Sequence, residues 1–198
     1  MSGVRISDGE LVVEREPNAL DELAIQFSEL LDIAGIDHVF IAGYVAILTG
    51  RARATNDIDV LIEKRSESAI ESLVGTLEEA GFWGPAMPLE NMYSNLSNGT
   101  NIWVAPDGQM TPHLEVKFPT DAYDRASLEG AMTAWVGTSA VPIGPLELQI
   151  AYKLFLGGEK DLEDAAHLHG LFGETLRESE LLHWVETLEV KDRYDQLD

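Results

Sequence analysis

The chain has 198 residues, with 35 acidic against 13 basic side chains, a formal net charge of -22 and no cysteine. This length is enough for one domain with a sizeable core, or for one domain with a helical appendage. The lack of cysteine excludes disulfides, thiolate metal ligands and cysteine nucleophiles, and no apolar run approaches the roughly 20 residues that span a bilayer.

The excess of acid has two interpretations. Either the partner is a cation or a metal, or the whole surface is adapted to a high-salt cytoplasm, since the acids are spread along the chain and lysine is rare. The second interpretation predicts a halophilic source. Extended nucleic-acid binding is not expected, because contacts to a phosphate backbone are made mostly by Lys and Arg. The acidic N-terminal segment lacks the basic-then-apolar order of a signal peptide, so a cytoplasmic protein without membrane contact is expected.

The front of the chain alternates helix and strand signals. Residues 1–16 are polar, and the alternating piece at 10–15 fits either an edge strand or a disordered segment. Residues 18–34 predict an amphipathic helix with Asn18 as N-cap, because apolar residues recur at spacings of three and four, and Gly35 ends it. Residues 66–80 predict another helix, with Ser66 as its N-cap.

The stretch at 38–63 lies between these two helices and organises the chain. It predicts, in order, a strand at 38–42, a turn at Ala42-Gly43, a short helix at 44–49, a loop with two arginines, and a strand at 54–63. The second strand carries Asp57 and Asp59, which share one face because side chains alternate along a strand.

The second half of the chain changes from mixed to helical. Residues 83–100 are rich in Gly, Pro and Asn and predict an irregular substrate loop. Residues 100–105 and 112–118 predict a hairpin, residues 136–141 a strand, and residues 146–156, 160–172 and 179–188 helices. The predicted fold class is therefore α/β (α+β), with a mixed sheet flanked by helices in residues 1–142 and a helical C-terminal part in residues 143–198.

The two aspartates form a candidate metal site. Neighbouring carboxylates repel and are usually either solvated or neutralised by a cation, and oxygen ligands select Mg²⁺ or Mn²⁺. Glu115, on the second arm of the hairpin, is the candidate third ligand and would let two ions bind. The alternative is a solvent-facing glutamate on an amphipathic strand. The turn at Gly43 begins a helix, where N–H groups bind phosphate, and Arg53 would add a cationic contact.

Several other polar residues have competing interpretations. Arg51 is interpreted as a solvated loop residue rather than a ligand. His113, in phase with Glu115, is interpreted either as a plain surface histidine or as a residue beside the metals. Lys153, in an apolar helix, is either a snorkelling side chain or a phosphate contact. Asp161 and Asp164 lie at a helix start, where acids complement the helix dipole.

One run of residues carries a resemblance to a known family. It consists of Ala42-Gly43, six residues, Gly50, and then Arg53-Ala54-Thr55-Asn56-Asp57-Ile58-Asp59 followed by an apolar strand tail. This run resembles the signature of the nucleotidyltransferase superfamily that includes DNA polymerase β. Within it, the chain is most similar to small prokaryotic nucleotidyltransferases of the minimal and abortive-infection toxin type. Residues 147–153 and 160–164 are similar to the helical part of that family, so the resemblance covers residues 38–170.

The resemblance implies transfer of a nucleoside monophosphate from a nucleoside triphosphate to a hydroxyl acceptor on a protein, a tRNA end or a small molecule. It implies Mg²⁺ or Mn²⁺ as cofactor, with two ions expected, and it assigns catalysis and metal binding to Asp57, Asp59 and Glu115. The nucleotide-binding residues that it implies are Gly43, Tyr44, Arg53, Thr55 and Lys153.

One departure from the family pattern supports an alternative function. Ala42 replaces the first of the usual glycines, and its Cβ disfavours a positive φ and a close phosphate approach. The alternative is a catalytically weak nucleotide-binding protein of the same fold, or one member of a toxin and antitoxin pair with a small helical partner protein.

Overall fold

The computed structural model describes residues 3–197, so Met1, Ser2 and Asp198, at the ends of the two predicted parts, lie outside it. Within that range one mixed sheet contains the strands Val4–Ser7 (β1), Glu10–Val13 (β2), His38–Phe40 (β3), Asp57–Ile62 (β4), Phe82–Trp83 (β5), Ile102–Pro106 (β6), His113–Lys117 (β7), Met132–Val136 (β8) and Ser139–Ile143 (β9). Their order across the sheet is β1-β2-β8-β9-β3-β4-β7-β6-β5.

Helices flank the sheet and follow it. They are Ala19–Ile33 (α1), Gly43–Leu48 (α2), Glu67–Glu79 (α3), Met92–Ser97 (α4), Ala122–Glu129 (α5), Leu146–Leu156 (α6), Glu159–Phe172 (α7), Glu178–Thr187 (α8) and Lys191–Tyr194 (α9). The expected α/β class with a helical C-terminal region is confirmed. The expected division after residue 142 stays a prediction, although the last strand ends at Ile143.

The middle of the sheet sets the position of the acidic residues. β4 pairs antiparallel with β3 on one side and parallel with β7 on the other. In the β4–β7 register Asp57 is opposite His113 and Asp59 is opposite Glu115. Residues opposite each other on neighbouring strands point to the same face, so these side chains share one side of the sheet.

The ends of the main helices follow local chemistry. Asn18 caps α1 with a full capping box, in which its side chain accepts from the N–H of Asp21 and the Asp21 carboxylate accepts from the N–H of Asn18. Ser66 caps α3. Gly157 ends α6 in the left-handed conformation, with φ 68°, which glycine adopts without steric cost.

Three expectations about secondary structure need correction. The strand expected at 136–141 is interrupted by the turn of the β8–β9 hairpin: Val136 ends β8, Gly137 reverses the chain with φ 61°, and residues 139–141 belong to β9. The irregular region at 83–100 contains α4, whose Met92 and Leu96 are both buried and lie one turn apart. Of the two interpretations of residues 10–15, the strand is found at Glu10–Val13, but it pairs with both β1 and β8 and is therefore not an edge strand.

Across residues 3–197, none of the helices has both the length and the apolar character that crossing a membrane requires.

Candidate active site

Three carboxylates lie on one face of the central strands. Asp57 and Asp59 come from β4, and Glu115 comes from β7. The Asp57 carboxylate accepts a short hydrogen bond from the hydroxyl of Thr55. The Glu115 carboxylate accepts from Asn101 Nδ2 at 3.4 Å and lies 3.7 Å from His113 Nε2. The three acids therefore lie on one face of the sheet, as the sequence predicts.

The environment of Asp59 favours a cation. Burial, and then the charges of Asp57 and Glu115, raise the pKa of Asp59 from its ordinary 3.8 to about 6. The oxygen donors suit Mg²⁺ or Mn²⁺, and a bound cation would remove the repulsion that raises this pKa. Within residues 3–197, no three His, Asp or Glu side chains already stand at the spacing of an ion site. The carboxylates fit such an ion by chemistry and would have to converge on it.

The turn before α2 has an unusual backbone. Ala42 has φ 59° and ψ -129°, a conformation that glycine adopts far more readily than alanine. Gly43 and Tyr44 form the first turn of α2, whose N–H groups lack a carbonyl partner within the helix. The Tyr44 side chain is fully buried and donates to Asp21 at 3.1 Å, so it points away from the carboxylates.

Ala42→Gly should stabilise the protein by about 1 kcal/mol. The strain at a non-glycine residue in this region costs roughly 1–3 kcal/mol, and the greater freedom of glycine in the unfolded chain offsets part of the gain. Urea denaturation would measure the difference. The control is Ala46→Gly within α2, where the same substitution should destabilise by about 1 kcal/mol. A loss of stability in Ala42→Gly would contradict the assignment of strain to this residue.

A buried carboxylate from the C-terminal helices binds three cations. Asp164 on α7 is fully buried, and its oxygens lie 2.6 Å from Arg51 Nε, 2.5 Å from Arg53 Nη1 and 2.8 Å from Lys153 Nζ. Lys153, on α6, is 3% exposed and also lies 3.6 Å from Asp161. Asp164 therefore joins the loop after α2 to both α6 and α7.

This cluster corrects several sequence-based interpretations. Arg51 is an ion-pair partner of Asp164 and Glu163 and not a solvated loop residue. Asp164 pairs with the buried Lys153 and with the half-buried Arg51 and Arg53, so its role goes beyond complementing the helix dipole. His113 is also not a surface residue, because it is 5% exposed and stacks on Trp103 with ring centroids 4.1 Å apart.

Gly43 packs closely against the guanidinium group of Arg53. A Cβ on Gly43 would lie 3.0 Å from Arg53 Nη2 and 3.3 Å from its Cζ, which is closer than carbon normally approaches these atoms. The guanidinium group therefore lies directly against the turn, in contact with both the turn and Asp164. Arg53 Nε is buried and has no hydrogen-bond partner among the described residues.

Two cavities open beside the carboxylates. The first, of about 200 Å³, is lined by Ala42, Gly43, Asp59, Lys117, Tyr123, Gln149, Tyr152 and Lys153, among others. The second, of about 440 Å³, is lined by Arg53, Thr55, Asp57, Trp103, His113, Glu115 and Lys160, with Ala54 and Asn56. Arg53 lines both. The candidate residues other than Tyr44 thus surround two adjoining spaces, with carboxylates in each.

Sequence reasoning missed three contributors to this site. Gln149, Tyr123 and Lys117 line the first cavity. Gln149 lies in the segment 147–153 that resembles the helical part of the family, but none of the three is assigned a role by that resemblance. For Asp164 a signal was present, because it shares the buried face of α7 with Ala165, Leu168 and Phe172. An acid on an apolar helix face indicates a buried cationic partner.

No protein-family model matches the sequence, and no curated protein matches it significantly. The structure is similar to that of an antigenic nucleotidyltransferase-like protein from Paracoccidioides brasiliensis, with 16% identity, a TM-score of 0.58, and coverage of 89% of this chain and 90% of that one. It is also similar to the antibiotic-resistance factor ANT(2'')-Ia, with 12% identity, a TM-score of 0.50, and coverage of 89% and 96%. These similarities agree with the arrangement of β4, β7 and the turn before α2, and the chain has a nucleotidyltransferase fold.

Proposed function

We propose that the protein is an enzyme that transfers a nucleoside monophosphate from a nucleoside triphosphate to a hydroxyl acceptor. The observation that carries this proposal is the grouping of three carboxylates with a tight backbone turn and a buried lysine around adjoining cavities. The fold shared with the two nucleotidyltransferase-like structures supports the same class of reaction.

In the proposed reaction Asp57, Asp59 and Glu115 hold Mg²⁺ or Mn²⁺, with two ions expected. When bound, such ions activate the attacking hydroxyl and neutralise the charge of the triphosphate. The triphosphate is placed in the first cavity, which Gly43 and Lys153 line. The N–H groups of Gly43 and Tyr44 at the start of α2 have no partner within the helix, and the bound metal ions would add positive charge beside Lys153, which is itself paired with Asp164. Arg53 borders the phosphates, and Thr55 orients the carboxylate of Asp57.

The second cavity receives the acceptor. The acceptor oxygen forms a bond to the α-phosphorus while the bond from that phosphorus to the leaving oxygen breaks, so pyrophosphate departs on the opposite side. If the triphosphate lies at the Gly43 side, the acceptor must approach from the Trp103 side. Glu115 lines this second cavity and accepts the hydroxyl proton. Trp103, half-buried and stacked on His113, also lines this cavity, and its indole suits an acceptor whose hydroxyl is carried near a ring.

Label transfer tests the proposed function. The protein is incubated with α-labelled nucleoside triphosphates, Mg²⁺ and a cell lysate that is afterwards separated into protein, RNA and small-molecule fractions. We expect label in one fraction, and a loss of at least about 100-fold in the double variant Asp57→Ala, Asp59→Ala. Transfer that survives the double substitution would overturn the proposal. The labelled fraction would identify the acceptor class.

The alternative function makes a different prediction in the same assay. A nucleotide-binding member of a toxin and antitoxin pair would be stabilised thermally by nucleotide without transferring label, because a ligand of the native state raises its apparent stability. The substitution at Ala42 favours this alternative. The positive φ of Ala42 weakens this argument, because the residue adopts the conformation expected of glycine despite the substitution. A halophilic source and a small helical partner remain proposals that follow from the acidic composition and the family resemblance.

A further inference from the structure

Gln149 places a buried carboxamide in the first cavity. It lies on α6, one helical turn before Lys153, so the two side chains are neighbours on the same helix face. Gln149 is 6% exposed, and it lines the cavity together with Asp59 and Lys153. It lies in the segment 147–153 that resembles the helical part of the family, but that resemblance assigns it no role, and a polar side chain is not explained by core packing.

One end of this carboxamide holds the strained turn. The backbone N–H of Ala42 donates to Gln149 Oε1 at 3.2 Å. Since an N–H group requires an acceptor, this bond fixes the orientation of the amide. Oε1 faces the turn, and Nε2 faces the other way. Gln149 thereby stabilises the residue whose φ of 59° is unfavourable for alanine.

The other end of the carboxamide has no partner. Nε2 is buried and forms no hydrogen bond with any residue in the range 3–197. The chain leaves room for it, because a Cβ on Gly144 would lie 2.9 Å from Nε2. A buried donor without an acceptor is costly and therefore uncommon in folded proteins. Gln149 lines the first cavity, where Lys153 is already paired with Asp164, so its unpaired N–H₂ group indicates a ligand that brings an acceptor oxygen to this end of the cavity.

We propose that Gln149 binds the triphosphate directly. Its Oε1 holds the Ala42 N–H, and its Nε2 donates to a non-bridging phosphate oxygen of the nucleotide beside Lys153. This inference rests on the proposed placement of the triphosphate in the first cavity. It assigns a phosphate-binding residue to α6, and it couples the conformation of the turn to the occupancy of the site through a single side chain.

Two substitutions of similar size separate the roles of Gln149. Gln149→Glu keeps an oxygen for the Ala42 N–H and replaces the donor with a second oxygen. Gln149→Met removes both polar atoms. Titration calorimetry with Mg²⁺ would measure binding of a non-hydrolysable nucleoside triphosphate and of inorganic tripolyphosphate, and urea denaturation without ligand would report the fold. Gln26→Glu on α1, at an exposed position, is the control for the added charge.

We expect Gln149→Glu to weaken binding of both ligands at least tenfold, and Gln26→Glu to change it less than twofold. Gln149→Met should weaken binding and also lower the urea midpoint. Wild-type affinity in Gln149→Glu, with losses only in Gln149→Met, would show that Gln149 merely supports the turn and would overturn the inference. Loss of nucleotide binding with unchanged tripolyphosphate binding would also overturn it. If the wild-type protein bound neither ligand, the proposed function would fail as well, whereas binding without label transfer would count against the proposed reaction alone.

Discussion

Asp59→Asn should make the metal-free protein more stable at pH 7 by about 1–3 kcal/mol, while abolishing nucleotidyl transfer. Burial and the neighbouring charges of Asp57 and Glu115 raise the pKa of Asp59 to about 6 in the folded protein, from an ordinary 3.8. The folded state thus holds this proton more tightly than the unfolded state. The stability contributed by Asp59 is complete below pH 4 and is lost as the pH rises to 6.

Urea denaturation in the presence of EDTA, at pH 7 and at pH 4, would test this expectation. At pH 4 the difference between Asp59→Asn and the wild type should fall below about 1 kcal/mol, because pH 4 lies close to the unfolded-state pKa of 3.8. The carboxyl is then protonated in the folded state and only about half ionised in the unfolded state, so most of the difference in proton binding has not yet acted. Glu71→Gln removes an exposed carboxylate from α3 and should change stability by less than about 0.5 kcal/mol at either pH. Added Mg²⁺ should stabilise the wild type more than Asp59→Asn. A less stable Asp59→Asn at pH 7 would contradict the repulsion described for this site.

Asp164→Asn should destabilise the protein by about 3–5 kcal/mol, because it leaves Arg51, Arg53 and Lys153 without their buried counter-charge. Asparagine has nearly the same shape as aspartate, so the loss would be electrostatic and not a matter of volume. A change of this size is a large fraction of the stability of an ordinary domain. Label transfer should fall too, because Arg53 and Lys153 would no longer be held in place.

Glu163→Gln is the matched control for the Asp164 substitution. Glu163 is the preceding residue on α7, pairs with Arg51 and has a side chain that is 53% exposed. Exposed ion pairs contribute only about 0–1 kcal/mol, so its loss should be small. Chemical denaturation of both variants would give the comparison. Equal losses of stability at the two positions would show that the burial of Asp164 does not determine how much it contributes to stability.

The sequence predicted the features that depend on local periodicity. The alignment of Asp57, Asp59 and Glu115 follows from alternation along two strands, and α6 was predicted with its observed bounds, Leu146–Leu156. The Asp164 cluster depends instead on contacts across 111 and 113 positions of the chain. No short motif encodes such contacts. The β8–β9 turn was missed because Val136, Thr138 and Val141 have high strand propensity, which hid the reversal at Gly137.

The role of Gln149 was also beyond local reasoning. Its position in α6 predicts a buried side chain, but its partner, Ala42, is 107 residues away. Alanine at position 42 departs from the glycine that the family pattern has there, and alanine disfavours a positive φ. The structure shows that the backbone keeps that conformation and that a distant side chain holds it. The strained backbone of Ala42 and the buried side chain of Gln149 are therefore linked by one hydrogen bond.

The Asp164 cluster also constrains how this chain can change during evolution. Loss of the acid alone would leave a buried lysine and two half-buried arginines without it, and loss of one arginine alone would leave the acid short of a partner. Single substitutions at these positions should therefore be purged, and relatives that lack the acid should lack the arginines at 51 and 53 as well. Residues of the loop after α2 and of the C-terminal helices should consequently change together in evolution, although more than 100 residues of sequence separate them.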